Sequence, residues 1–363
     1  MVLRSPRKLM AIALALVLGV AIMTPGPIGA TSEVIIFVTW HPDVTLLAVG
    51  NQNTVQILDT ATTQVLNVFS DLEMQATAPA WSPDGDRLAI ANGSQLDIWQ
   101  YPWDPDAAEL VLSHSSPDWR WLYALAWSPN ADKIAVGDVA VLEVWDVFDV
   151  PPQLLLYSSE PGDDIKDVVW SPSGTLLANT GLDHTVRVWD VATGDLLSTL
   201  IVSNDPVTSF ASEIDVTTLG AAWSPDETRL VFACGDGTVR TWDLIATTEP
   251  ETISYPYTSN VLYRHEDAVW AVDWSPDGRW IASGGADNTL RVWDVIEGEM
   301  VEVIQTGELI GSVAFSPDSA RLAYGDITRG VEIESVSSPL PDFEPLSACW
   351  VRDWKQAQTE WHR

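Results

Sequence analysis

One word recurs along the chain: an aromatic residue, then Ser-Pro, then a short polar turn. It appears as Trp40-His41-Pro42-Asp43, Trp81-Ser82-Pro83-Asp84-Gly85, Trp127-Ser128-Pro129-Asn130, Trp170-Ser171-Pro172-Ser173-Gly174, Trp223-Ser224-Pro225-Asp226, Trp274-Ser275-Pro276-Asp277-Gly278 and Phe315-Ser316-Pro317-Asp318. The seven copies lie 41, 46, 43, 53, 51 and 41 residues apart. A fixed period of this size means one supersecondary unit per repeat, which hides its apolar faces only by stacking on its neighbours.

Each copy has the same local physics. An apolar run precedes the aromatic, as in Asp167-Val168-Val169-Trp170, and another follows, as in Arg229-Leu230-Val231-Phe232 or Arg279-Trp280-Ile281-Ala282. Pro fixes φ at the first central turn position, Asp or Asn tolerates the second, and Gly takes a left-handed conformation where present. The two runs read as a β-hairpin. A second word comes after another turn: Thr185-Val186-Arg187-Val188-Trp189-Asp190, Thr238-Val239-Arg240-Thr241-Trp242-Asp243 and Thr289-Leu290-Arg291-Val292-Trp293-Asp294, with weaker copies ending at Trp99 and Asp146. Its alternation predicts a half-buried strand. A fourth apolar run follows, as in Leu196 to Leu200.

Four strands per unit and a unit length in the forties resemble the WD-repeat β-propeller, over about residues 33–336. The fold implied is all-β: a seven-bladed propeller of four-stranded antiparallel blades. The resemblance also implies a hydrogen-bonded set of His, Ser or Thr, Asp and Trp within a blade, and His265, Ser283, Asp287 and Trp293 match it. The repeat ending at Trp189 keeps Asp183 but has Asn179 at the Ser position and no His. The repeat ending at Trp242 keeps Asp236 only, and Leu58 and Glu334 stand at the Trp position of the first and last repeats. The incomplete blades are expected to lean on apolar packing instead. Twelve of the nineteen Trp fall on or beside the words: Trp40, Trp81, Trp99, Trp127, Trp145, Trp170, Trp189, Trp223, Trp242, Trp270, Trp274 and Trp293. All are expected to be buried between blades, and truncating one to Ala should cost about 3–5 kcal/mol.

The two ends depart from the pattern. Arg4, Arg7 and Lys8 precede the 15-residue apolar run Leu9 to Met23, and Pro25-Gly26-Pro27 leads to Ala30. That layout is a secretory signal peptide over residues 1–30, with an uncleaved anchor as the alternative. Its removal takes the formal charge from −33 to −36. Such a surface repels nucleic acid and anionic membranes and keeps a protein soluble, so neither partner is expected and a monomer is. Two cysteines make no disulfide framework; a bridge between Cys234 and Cys349 stays open beside a buried thiol at Cys234. The propeller is assigned to residues 31–337 and a tail to 338–363. Ser338-Pro339-Leu340-Pro341 is a linker, and Ser347 to Arg363 reads as a short helix that closes the last blade, which otherwise lacks an outer strand.

Propellers bind through loops carried on a rigid scaffold. Residues 202–219 and 246–268 are expected to be long inter-blade loops on one face. Trp119, Arg120 and Trp121 lie outside both words in a third such loop and, with His184 and Asn288, are the candidate partner contacts. The same face gathers Asn51, Asn53, Asn92, Asp138, Asp183, Asp236 and Asp287, but no D-x-D-x-D-G spacing suits Ca²⁺. His41, His114, His184, His265 and His362 are scattered, His41 replacing Ser in a turn word, and no catalytic motif, metal site or cofactor motif is present in the sequence. The function expected is an extracytoplasmic protein-interaction scaffold and not an enzyme. The alternative is a secreted propeller enzyme with its site at the central channel.

Overall fold

The computed structural model describes residues 35–51, 53–70, 72, 78–104, 107–115, 122, 124–138, 141–148, 152–158, 165–202, 218–244, 260–326 and 330–336. The candidate contacts Trp119, Arg120 and Trp121, the N-terminal apolar run, Cys349 and the tail lie outside them.

The strands form seven antiparallel sheets, each a meander in chain order. Blade 1 is β1 (Ile35–Trp40), β2 (Leu46–Asn51), β3 (Val55–Asp59) and β4 (Val65–Phe69); blade 2 is β5 (Pro79–Trp81), β6 (Arg87–Asn92), β7 (Gln95–Asp104) and β8 (Ala107–His114). Blade 3 is β9 (Ala124–Trp127), β10 (Lys133–Gly137), β11 (Leu142–Asp146) and β12 (Gln153–Ser158); blade 4 is β13 (Ile165–Trp170), β14 (Leu176–Gly181), β15 (Thr185–Asp190) and β16 (Leu196–Ile201). Blade 5 is β17 (Thr218–Trp223), β18 (Arg229–Cys234), β19 (Thr238–Asp243) and β20 (Asn260–Arg264); blade 6 is β21 (Val269–Trp274), β22 (Trp280–Gly285), β23 (Thr289–Asp294) and β24 (Glu299–Gln305). Blade 7 is β25 (Ile310–Phe315), β26 (Arg321–Asp326) and β27 (Gly330–Ser335), three strands among the described residues. The first strands of successive blades touch all the way round, β25 against β1 included, so the fold is a closed seven-bladed propeller.

A sheet buries its faces by packing on another layer, and here the layers are the neighbouring blades. One apolar cluster sits at each seam. Val38, Trp40, Leu47, Leu58 and Ala323 fill the seam between blades 1 and 7, and Ala178, Leu200, Trp223, Phe232 and Trp242 that between blades 4 and 5. The second strands are therefore buried on both faces, as in β2 and β22. The third strands are not half-buried as their alternation suggested: in β15 the polar residues Thr185 and Arg187 are buried too. A blade packs on both sides, so the polar half of the alternation finds partners inside the protein instead of water.

The recurring Trp also carries a polar link. The Nε1–H of Trp127, Trp170 and Trp223 donates to the carbonyls of Ala80, Ala126 and Val169 at 3.0, 3.1 and 3.1 Å, each one residue before the aromatic of the preceding blade. Trp274 turns to its own Gly278 carbonyl instead. The turns share a second device: Ser82, Ser224, Ser275 and Ser316 donate to Asp84, Asp226, Asp277 and Asp318 at 2.5–2.6 Å. His41 does more than replace this Ser. Its Nδ1 lies 2.7 Å from Asp43, its Nε2 lies 3.0 Å from the Gly85 carbonyl, and its ring packs edge-on to Trp81, so it joins blade 1 to blade 2.

Two expectations are corrected. Residues 260–264 are not loop but β20, the fourth strand of blade 5, so the second insertion joins β19 to β20. The described ends of this connection, Leu244 and Asn260, therefore lie on the face of the Ser-Pro turns. The run Val261-Leu262-Tyr263 has no turn word on either side to mark it as a strand. The second correction concerns Trp: Trp270 is 45% exposed, and Trp99 and Trp145 are only half-buried. Trp270 is the extra residue of a bulge between Val269 and Ala271, which turns it away from the seam.

Candidate partner-binding face

The connections between second and third strands all lie on one face, with the inter-blade loops. In blade 6 the turn Gly285-Ala286-Asp287-Asn288-Thr289 holds the fullest polar set. His265 Nδ1 lies 3.0 Å from Asp287 Oδ1, His265 Nε2 lies 2.8 Å from Ser283 Oγ, and Trp293 Nε1–H donates to the same Oγ at 3.1 Å. One proton arrangement satisfies every partner: Nδ1–H donates to the carboxylate, and the Ser283 hydroxyl donates to Nε2 while accepting from the indole. Asp287 also accepts from Thr289 Oγ1 at 2.7 Å, Arg291 Nη2 at 2.9 Å and the Glu266 N–H at 3.1 Å. Burial raises its pKa, but the bonds from His265, Thr289 and Glu266 outweigh this and hold it at about 2. Desolvation pushes His265 below the usual histidine range despite Asp287, which favours the neutral ring.

Blades 4 and 5 keep part of this set. Trp189 Nε1–H donates to Asn179 Oδ1 at 2.8 Å, so Asn takes over the acceptor role of Ser. Phe232, fully buried, stands at that position in blade 5, where it pairs with Arg240 as Ser283 pairs with Arg291. What all three blades share is a clamp that the repeat words do not announce. Asp183, Asp236 and Asp287 each accept from a Thr two residues on and an Arg four residues on: Thr185 and Arg187, Thr238 and Arg240, Thr289 and Arg291. The Asp–Arg distances are 2.6, 2.5 and 2.9 Å. Burial raises the pKa of Asp183 and Asp236, and the Arg and Thr bonds more than offset it, leaving both below the usual range. The signal was the Thr-x-Arg inside the second word. At the Arg position blades 2, 3 and 7 instead carry Asp97, Glu143 and Glu332. There Asp97 accepts from Asn92 and Ser113, Glu143 from Trp145, and Glu332 from Tyr324.

His184 and Asn288 sit at one equivalent position, in the left-handed region at φ 63° and 60°, as does Gly237 at 81°. Their carbonyls accept from Val202, Thr306 and His265 N–H at 2.9, 3.1 and 2.7 Å, which ties the end of each fourth strand to the turn. The structure thus places these two residues in matching turns of blades 4 and 6, on either side of blade 5, with half-buried side chains.

Residues 154–190, 194–243 and 257–294 match the family of the WD domain, G-beta repeat. Those three segments are WD40 repeats. They run from the outer strand of blade 3 to the third strand of blade 6 and take in the three Asp–Thr–Arg clamps. The chain is 27% identical to Protein groucho of Drosophila melanogaster over 48% of this chain and 22% of that protein. It is 30% identical to Target of rapamycin complex subunit LST8 of Bos taurus, over 44% of this chain and 43% of the relative, and 32% identical to Protein tipD of Dictyostelium discoideum, over 38% and 20%. It therefore spans less than half the length of these relatives.

The ionisable side chains of the inner strands are few among the described residues. Asp167 accepts from Val168 and Ala221 N–H, each at 2.9 Å, and Asp273 from Trp274 and Phe315 N–H at 2.8 and 2.7 Å. Burial pushes both carboxyls up to about 7. Each spends its oxygens on joining one blade to the next. No group of three or more His, Cys, Asp or Glu that could hold a metal occurs among the described residues. Cys234 is fully buried, and desolvation pushes its thiol up to about 12, so it packs as a small hydrophobe. No described helix is long and apolar enough to cross a membrane.

Proposed function

We propose that this propeller is an extracytoplasmic scaffold that binds a protein partner through the face of the second-to-third-strand turns and inter-blade loops. The observation that carries the reading is the clamp of blades 4 to 6. Three consecutive turns are held rigid by the same Asp–Thr–Arg bonds, while the residues between and above them differ from blade to blade. A rigid frame with variable tips suits recognition. The ionisable groups brought together here are engaged in holding the frame, which favours binding over catalysis. A relative named as a complex subunit points the same way. Export rests on the N-terminal segment Arg4 to Ala30 and on the formal charge of −33, which favours solubility.

Pull-down from the culture medium or envelope, wild type against the Trp119→Ala/Trp121→Ala double variant, tests the reading. A partner held by wild type and lost by the variant is expected. Equal recovery by both removes these loops from the site. N-terminal sequencing of the exported form should begin after Ala30.

A further inference from the structure

The inner strands of five blades carry a bulge at the same end, the end nearer the inter-blade loops. The residues it displaces are Ile36, Lys166, Leu219 with Gly220, Trp270 and Gly311. The fold accepts an aliphatic residue, a cation or glycine there, so packing does not require an indole. Sister blades act as internal controls, and against them Trp270 is an expensive exception. It lies on the strand nearest the axis, yet it is 45% exposed. Small residues stand at the equivalent places on both sides: blade 5 has Gly220, packed on the β21 backbone with an added Cβ 3.4 Å from the Trp270 carbonyl, and blade 7 has Gly311. The chain entering β21 brings two exposed carboxylates, Glu266 and Asp267.

We infer that Trp270 is an aromatic platform on the rim of the channel that receives a lysine or arginine side chain of the partner protein. This rests on the scaffold reading and adds the chemistry of the partner. A ring face attracts a cation, and guanidinium best because it also stacks flat. The nearby carboxylates add charge to that attraction, and the formal charge of −33 steers cationic segments toward the molecule. The bulge is the device that aims the ring.

The test uses the whole protein labelled with 5-fluorotryptophan, the Trp270 resonance being assigned by its disappearance in Trp270→Phe. The probes are acetyl-Ala-Arg-Ala-amide, acetyl-Ala-Glu-Ala-amide and acetyl-Ala-Ala-Ala-amide. The Arg peptide should shift the Trp270 resonance saturably and the other two should not. Calorimetry should show its affinity falling about tenfold in Trp270→Ala and falling further when Glu266→Gln and Asp267→Asn are added. Trp270→Lys, which installs the residue of blade 4, should leave the thermal midpoint unchanged. Equal response to all three peptides, or undiminished affinity in Trp270→Ala, overturns the inference. So does a large drop in midpoint for Trp270→Lys, which would make the ring a packing residue. A partner captured equally by wild type and Trp270→Ala leaves the scaffold reading standing and removes Trp270 from it.

Discussion

The indole Nε1–H of Trp40 donates to the carbonyl oxygen of Ala314 at 2.9 Å, across 274 residues of chain. Beside it Val38 N–H donates to Ser312 Oγ at 3.1 Å, and Arg321 lies over the Trp40 ring at 4.7 Å while its Nη2 donates to the Val44 carbonyl. Each bond repeats one found at a covalently connected seam. Ser312 does for Val38 what Asp167 does for Ala221, and Arg321 does for Trp40 what Arg229 does for Trp274. Blade 7 and blade 1 are therefore joined by contacts of the same kinds as those at covalently connected seams.

Ser312→Ala should destabilise the protein by about 1–3 kcal/mol, because it leaves the Val38 N–H buried without an acceptor. Native-state hydrogen exchange should show the loss as faster exchange of β1 and β25 than of β13 and β17. Uniform acceleration of all four strands would mean that the seam does not open by itself.

Asp287→Ala should cost about 3–5 kcal/mol in urea unfolding, since it leaves His265, Thr289 and the partly buried Arg291 without their acceptor. Asp183→Ala should cost less, because blade 4 has no histidine in its set. In wild type the contribution of Asp287 is fully present above the unfolded carboxyl value of about 4 and is lost as pH falls through about 2. His265, depressed by burial, also favours folding above the ordinary histidine range and loses that contribution as pH falls. Both therefore favour acid unfolding.

Asp273 has the opposite sign. Its carboxyl titrates at about 7 in the folded protein, against about 4 unfolded, so its contribution is full below pH 4 and is lost as pH rises through 7. Asp273→Asn keeps an acceptor for Phe315 N–H and removes the buried charge. It should raise the thermal midpoint at pH 8 and change it little at pH 4.5. An equal change at both would show that the carboxyl titrates normally.

The turn after each Ser-Pro reaches positive φ whether or not Gly is there: Val44 at 61°, Ala131 at 57°, Glu227 at 59° and Ser319 at 59°, beside Gly85 and Gly278 at 78°. Left-handed backbone costs about 1–2 kcal/mol for a side chain with Cβ, and β-branched Val is a poor occupant. Val44→Gly should stabilise by about 1 kcal/mol. Gly278→Ala should destabilise by a similar amount, with its Cβ no nearer than 3.7 Å to Pro225. Gly85→Ala should cost more, because its Cβ would fall 2.7 Å from His41 Nε2. Equal costs would mean that His41 moves aside freely.

The fold was legible because the period repeats seven times, and a hairpin word with Trp before Ser-Pro and a strand word with Trp before Asp can stack in only one way. Asp287, His265, Ser283 and Trp293 could be picked out because the WD-repeat resemblance implies such a set and all four positions fall within one repeat. Three features could not. A bulge depends on pairing across strands, so Trp270 looked like any other strand Trp. The insertion between β19 and β20 hid a fourth strand with no Ser-Pro or Trp-Asp to mark it. The Arg of the clamp looked like the polar half of an alternating strand, because nothing in one strand says that its outer face will be covered.

The seam at Trp40 and Ala314 also bears on how the fold could be rearranged. If the uncrossed junction is chemically the same as the crossed ones, the ring has no first blade. The order in which blades are strung is then a matter of where the peptide is cut, and a circular permutant opened between blades 4 and 5, with its old ends joined, meets the same set of neighbours.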